Sequence, residues 1–283
     1  MLADFHIHTY FSDGRQSPED VARAAAVAGL SVISVCDHNS TATYDRLRPT
    51  CASAGIALVQ GVELDVYWRD KRLHLLGYNF DPQNAELCAL IVNNRRELDQ
   101  MSVELVRAMA ADYPALSMAD YERYTYDPRT GGWKGVNYLK DRGVTDDLLD
   151  GMPFYKQYAG DFHPGFSSME AACLAIQNAG GLPVLAHPGC AWPEVSEELS
   201  DALGEMKALG LAGIECYYPD HVREMTEFLA SFCRRNDMRI TCGGDGHGGF
   251  GEVYGLPRRD IGVMRTNMDE LDLRGIFDYR EVL

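Results

Sequence analysis

Six of the eight histidines in this chain stand at, or just after, the ends of short apolar runs, each with a carboxylate close by in sequence. The segments are Asp4-Phe5-His6-Ile7-His8, Cys36-Asp37-His38, His74, Ala186-His187-Pro188 and Gly243-Gly244-Asp245-Gly246-His247, with Ser12-Asp13-Gly14 and Gly61-Val62-Glu63 between them. Runs that are apolar or β-branched and bounded by Gly, Pro or polar residues predict strands at Leu2 to Phe5, Ser31 to Val35, Ala57 to Val59, Leu182 to Leu185 and Arg239 to Thr241. Arg72 to Tyr78 and Ala212 to Cys216 read as two more. The donors are therefore expected at strand exits. In a barrel of alternating strands and helices, the loops at those exits share one rim, so residues far apart in sequence converge there.

Helical signals fill the gaps. Ser17-Pro18-Glu19-Asp20 supplies an N-cap, a first-turn proline and early acids, and Gly29 closes the Ala-rich segment that follows. Thr43 to Ala54, Met169 to Asn178, Glu197 to Leu209 and a stretch after Asp220 read as further helices. Leu87, Leu90, Ile91, Leu98, Met101, Leu105 and Met109 mark a long amphipathic one. From about Asp81 to Pro164 no strand-exit histidine occurs, so residues 81–164 read as a helical insertion and residues 1–80 and 165–283 as an α/β barrel. A β/α barrel needs about 250 residues, and this chain has 283.

The 26 basic and 42 acidic residues leave a formal charge of -16. That opposes binding of a long nucleic acid, whose affinity comes largely from Lys and Arg neutralising phosphates. A small anionic substrate stays compatible, because bound divalent cations invert the local field. The eight cysteines are scattered without a CxxC pair, as expected of reduced thiols; Cys36 and Cys190 adjoin candidate ligands. The N-terminus enters the first histidine motif with no basic and apolar leader, and no run approaches 18 apolar residues, so a cytoplasmic location away from membranes is expected.

Imidazoles mixed with carboxylates suit Zn, Mn or Fe, and the absence of thiolate ligands points to an open site rather than a closed structural one. A lone His-x-His pair is weak evidence, since in a strand it only places two side chains on one face. Joined with His38, Glu63, His74, His187, Asp245 and His247, it becomes a metal constellation.

The set Asp4-Phe5-His6-Ile7-His8-Thr9 with Ser12-Asp13-Gly14, Val35-Cys36-Asp37-His38-Asn39, Gly61-Val62-Glu63, His74, Leu185-Ala186-His187-Pro188 and Gly243-Gly244-Asp245-Gly246-His247 resembles the PHP (polymerase and histidinol phosphatase) phosphoesterase superfamily. The resemblance implies a distorted (β/α)7 barrel holding two or three divalent metal ions (Mn, Zn or Fe), and hydrolysis of a phosphate ester by hydroxide formed at those ions. It also implies that His6, His8, Glu63 and Asp245 hold one metal, that Glu63 bridges to a second held by His74 and His187, and that Asp13, His38 and His247 form a third position. Three-metal members usually carry histidine where this chain has Asp13, so the third position is expected to be weak, labile or vacant. His38 or His247 would then be free to protonate the leaving group. Asp37 is expected to orient imidazoles from behind.

For substrate contacts the insertion offers Arg129, Trp133, Lys134, Asn137, Tyr138, Lys140, Lys156 and His163, apt partners for a second phosphate, a base or a sugar. His221 follows another predicted strand and is either a further substrate contact facing the rim or a structural histidine at a helix start, and Glu215 is either a barrel-layer residue or a carboxylate behind the ligands. The expected activity is hydrolysis of a small phosphorylated metabolite, a nucleotide or ribose phosphate, as monoester or cyclic diester. The alternatives are an RNA exonuclease of the same superfamily, a non-catalytic metal-stabilised binding module, and an amidohydrolase acting on C–N bonds.

Overall fold

The structure is a computed structural model that describes residues 1–160, 162–250 and 259–278. In chain order it runs β1 (Leu2–Ile7), α1 (Pro18–Ala28), β2 (Leu30–Val35), α2 (Tyr44–Ser53), β3 (Ala57–Trp68) and β4 (Lys71–Tyr78). Four helices follow: α3 (Ala85–Met109), α4 (Met118–Arg123), α5 (Lys134–Asp141) and α6 (Met152–Ala159). The remainder is β5 (Ser167–Ser168), α7 (Met169–Asn178), β6 (Leu182–Leu185), α8 (Glu197–Ala208), β7 (Gly213–Tyr217), α9 (Arg223–Arg235), β8 (Arg239–Cys242) and β9 (Thr266–Asn267). Local chemistry sets the ends of α1 as its sequence predicts. Ser17 and Asp20 cap each other reciprocally, Pro18 opens the helix, and Gly29 closes it at φ 71°.

The sheet order is β8-β7-β6-β4-β3-β2-β1-β9, with β5 beside β3. It curls into a nearly closed barrel, because the segment after β8 returns to the end of β1. There the His8 N–H donates to the Gly246 carbonyl at 2.9 Å, and Ile7 bridges Gly246 in parallel. Seven strands, β1 to β4 and β6 to β8, make the wall. Two features depart from the sequence expectation. The strand expected at Ala57 to Val59 runs on to Trp68, and β4 lies antiparallel to both β3 and β6 rather than following a crossover helix. Glu63 and His74 therefore sit inside strands, not at their exits. The short β5 gave no sequence signal.

Alternate residues of the strands fill the barrel: Ala3 and Phe5, Val59, Leu76 and Tyr78, Val184 and Ala186, and Cys242 form one buried cluster. The outward residues Val62, Leu64, Val66 and Leu75 pack with α7, α8 and α9 in a second. The first half of α3 joins that second cluster through Leu87 and Ile91, whereas Leu105, Val106 and Met109 belong to a separate one with Tyr121, Tyr124, Tyr138 and Leu139. Among the described residues no helix is long and apolar enough to cross a membrane.

Candidate metal centre

Strand parity delivers the donors. Side chains alternate across a strand, so Glu63 and Asp65 share the inward face of β3 with Val59, and His74 shares that of β4 with Leu76 and Tyr78. The β3–β4 ladder sets Asp65 opposite His74. Asp4 ties the two ends of the sheet together, its carboxylate accepting from the N–H groups of His6 (3.2 Å), Gly244 (3.0 Å) and Gly262 (2.7 Å). Two donors ride on left-handed backbone, His187 at φ 27° and Asp245 at φ 50°, a conformation that persists where the surroundings enforce it. Gly243 has no room for a Cβ, which would run into His6 and Glu215.

Four donor atoms face one point. His6 Nε2 lies 3.1 Å from His8 Nε2, 3.3 Å from Glu63 Oε2 and 3.6 Å from Asp245 Oδ1; His8 Nε2 lies 3.2 Å from Glu63 Oε2 and 3.1 Å from Asp245 Oδ1. A tetrahedron with metal–ligand arms of about 2.0–2.2 Å has edges of about 3.3–3.6 Å, so the spacing fits a first-row divalent ion. The other Glu63 oxygen, Oε1, lies 3.0 Å from His74 Nδ1 and 3.1 Å from His187 Nε2, which are 3.4 Å apart. The third group is looser. Asp13 Oδ1 is 3.4 Å from His247 Nε2, and Asp13 Oδ2 is 4.0 Å from His38 Nε2. Glu63 Oε2, Asp13 Oδ1 and His38 Nδ1 are buried with no hydrogen-bond partner. Such orphans cost free energy unless something pairs them, and the donor types fit a cation.

Behind these donors stand further carboxylates. Glu215, fully buried, meets His6 Nδ1 at 3.1 Å and accepts the His187 N–H at 2.9 Å. Asp65 meets His74 Nε2 at 3.3 Å, accepts from Asn39 Nδ2 at 2.6 Å, and takes Arg72 Nε and Nη2 at 2.9 and 2.6 Å. Asp245 Oδ2 is held by the Tyr218 hydroxyl (3.0 Å) and Arg259 Nη1 (2.9 Å). Asp37, expected to orient imidazoles, reaches His8 through Ser12, whose Oγ donates to Asp37 at 2.6 Å and lies 3.4 Å from His8 Nδ1. It accepts from the Thr9 N–H and hydroxyl, Ser12 and Thr43, and so fixes the loop that carries Asp13.

Burial disfavours charge on every group here, yet the opposite charges win at most of them. Burial lowers His8, but Asp245 and Glu63 outweigh it and push it up to about 10. Glu63 and Asp65 likewise bring His74 up to about 9, and His6 and His187 are raised well above the ordinary histidine value. Burial would raise Glu63 and Asp245, but the surrounding histidines hold both well below the carboxylate range. His38 moves the other way, pushed down to about 4 by burial. A neutral imidazole is a lone-pair donor, which suits a ligand better than a proton donor. The cluster of carboxylates demands positive charge, from protons or from divalent cations.

Of the substrate candidates, Trp133 reaches the cluster, its ring centroid 5.8 Å from that of His38. Its loop is pinned to the Asp13 loop by the Gly132 N–H donating to the Asp13 carbonyl (2.8 Å) and by Arg15 Nε donating to the Arg129 carbonyl (3.3 Å). Lys134 instead lies over the Tyr121 ring, Asn137 braces the loop, and Tyr138 donates to Asp120. Arg129, Lys140, Lys156 and His163 are exposed. His221 corrects the expectation for it: Nε2 accepts the Gly189 N–H, and Nδ1 faces the Cys216 carbonyl, leaving no ring nitrogen for substrate. Cys36 is buried and Cys190 exposed. Asp65, Arg72, Tyr218 and Arg259 went unnoticed in the sequence. Parity with Glu63 was the available signal for Asp65; Arg259 had none. A cavity of about 930 Å³ around Ala57–Gln60 and residues 271–278 contains none of the candidate ligands.

The family described as PHP domain matches residues 4–134. A 5'-3' exoribonuclease of Haemophilus influenzae is 26% identical over 250 residues, spanning 86% of this chain and 89% of that one. A phosphoribosyl 1,2-cyclic phosphate 1,2-diphosphodiesterase of Eggerthella lenta is 27% identical over 274 residues, spanning 89% and 97%. A 3',5'-nucleoside bisphosphate phosphatase of Chromobacterium violaceum is 26% identical over 270 residues, spanning 92% and 90%. A solved structure from Bifidobacterium adolescentis, of a candidate metal-dependent phosphoesterase, superposes with a TM-score of 0.78 at 26% identity, covering 99% of this chain and 98% of the other.

Proposed function

The chain belongs to the PHP superfamily of phosphoesterases and is a metal-dependent hydrolase; from that premise we propose that it hydrolyses a phosphate ester bond of a small phosphorylated metabolite, a nucleotide or ribose phosphate, either a monoester or a cyclic diester. The observation that carries the reading is the pair of donor sets sharing Glu63, one on each carboxylate oxygen, at edge lengths a divalent ion would span. His6, His8, Glu63 and Asp245 would hold one ion, Glu63, His74 and His187 a second, and Asp13, His38 and His247 a third, more weakly. Divalent ions held there supply a water of lowered pKa and offset charge on the phosphoryl oxygens. The chain's own residues then orient and exclude: Glu215 and Asp65 fix His6 and His74, and Trp133 covers His38. With the third position vacant, His247 would be the group to hand a proton to the leaving oxygen, since its Nδ1 is committed to the Asp245 carbonyl at 2.7 Å and its Nε2 faces Asp13. Residues 81–164 we read as an insertion that covers the rim.

The relatives named for ribose cyclic phosphate and nucleoside bisphosphate support a small substrate. A 5'-3' exoribonuclease reading has the Haemophilus relative in its favour and the charge of -16 against it. The test is hydrolysis of nucleoside monophosphates, bisphosphates, sugar phosphates and cyclic phosphates with manganese, followed as free phosphate for the monoesters and as ring opening for the cyclic esters, beside stepwise shortening of an RNA oligonucleotide. Hydrolysis of the small esters is expected. Shortening of RNA with none of the small esters cleaved would replace the proposal.

A further inference from the structure

Beside the metal centre, and outside its donor sets, lies a cavity of about 130 Å³ walled by Leu98, Met101, Met152, Trp133, Tyr155 and Arg72. Its polar groups are mostly engaged. The Tyr155 hydroxyl and Ser102 Oγ pair at 2.7 Å, and Arg72 gives Nε and Nη2 to Asp65. What remains is apolar wall, one indole, and Arg72 Nη1, whose partner is Met101 Sδ at 3.6 Å. A thioether is a weak acceptor, so a stronger one placed in the cavity would take that N–H.

Two walls connect this space to the candidate ligands. Arg72 also borders the adjoining pocket of about 170 Å³ that contains His74 and His187. Trp133 has its ring 5.8 Å from His38, with the Arg95 guanidinium 5.5 Å from the indole centroid. A ligand held here would lie one side chain, Arg72 or Trp133, away from these histidines. Size narrows the choice, since an apolar cavity of about 150 Å³ takes up benzene. One six-membered ring fits, and a fused bicycle would protrude.

We propose that this cavity is a base subsite that seats the pyrimidine ring of a nucleoside phosphate against Trp133, with Arg72 Nη1 donating to a ring carbonyl. The proposal rests on the phosphoesterase reading of the neighbouring centre and adds to it the substrate class. Contact between a base and an aromatic side chain is worth about ten- to hundredfold in affinity.

The experiment compares uridine 5'-monophosphate, adenosine 5'-monophosphate and ribose 5-phosphate as substrates with manganese. The wild-type kcat/KM for the uridine ester is expected to exceed that for ribose 5-phosphate by about tenfold or more, with the adenosine ester between them. Met152→Trp fills the cavity from a side chain 43% exposed at its rim and should erase the advantage while far-UV circular dichroism stays native. Trp133→Phe should keep most of it and Trp133→Ala lose it. Equal kcat/KM for uridine ester and sugar phosphate, a preference for the purine, or an advantage untouched by Met152→Trp would overturn the subsite. Free uridine, which has no ester to cleave, separates the two readings. Saturation transfer from protein to its ring protons is expected in ligand-observed NMR, and its absence also overturns the subsite. Transfer without phosphate release from any ester would instead sink the phosphoesterase reading and leave the subsite standing.

Discussion

Glu63 is the residue on which both donor sets depend, because its two oxygens point in different directions: Oε2 towards His6 and His8, Oε1 towards His74 and His187. Glu63→Gln replaces a charged bridge with a neutral amide that is a poor ligand, so metal content and phosphate release should both fall by more than tenfold while far-UV circular dichroism stays native. Wild-type metal content in that variant, measured by elemental analysis, would remove Glu63 from the bridging role. Glu215→Gln tests the supporting layer. Groups that orient a ligating histidine are typically worth ten- to a hundredfold, about that range, in metal affinity, so competition with a chelator should show weakening of that order without loss of fold. The candidate ligands could be picked out of the sequence, most of them from short motifs of histidine and carboxylate, with His74 and His187 standing among apolar residues. Their supports were legible in part: Glu215 and Asp37 stand out beside the motifs, and lie behind His6 and, through Ser12, His8, whereas Asp65 and Arg72 matter only because the β3–β4 ladder sets Asp65 against His74.

At the scale of elements, the sequence reading placed the strands and the bounds of α1 and α7 closely, because capping and apolar runs are local signals. It failed where tertiary packing decides. Gln60-Gly61 looked like the end of a strand, yet β3 passes through it. Gly61 is there for close approach: an added Cβ would meet Ser34 Oγ, Cys36 Sγ at 2.7 Å and the Val35 carbonyl at 2.8 Å. The turn at Trp68 to Lys71 then folds β4 back, which is how Glu63 and His74 come to share the barrel interior. Gly61→Ala should therefore cost about 1–3 kcal/mol, the usual range for overpacking a filled interior, and lower the melting temperature by several degrees. An unchanged melting curve would mean that β2 and β3 can part to admit a methyl group.

Across the whole molecule, the cluster couples stability to pH and to metal in opposite senses. His8 at about 10 and His74 at about 9 are raised above the histidine value of 6.5, so in chelator-treated protein they stabilise fully below about pH 6.5. That contribution is lost as pH rises through 9 to 10. Glu63 and Asp245 are depressed, so their contribution is present above about pH 4.5 and lost as pH falls further. The chelator-treated chain should accordingly melt highest between about pH 5 and 6.5 and lower at pH 9. With a divalent cation the sign reverses on the alkaline side. The ion takes over the positive charge that the imidazole protons supplied, and binding releases those protons, so raising the pH from about 6 to 8 should raise the melting temperature of the manganese-loaded chain. The two curves should diverge as pH increases, and calorimetric titration with manganese at pH 7 should report proton release that scales with buffer ionisation heat. Parallel melting curves with and without manganese from pH 6 to 9 would show that the histidines and the cation do not compete for the same carboxylates.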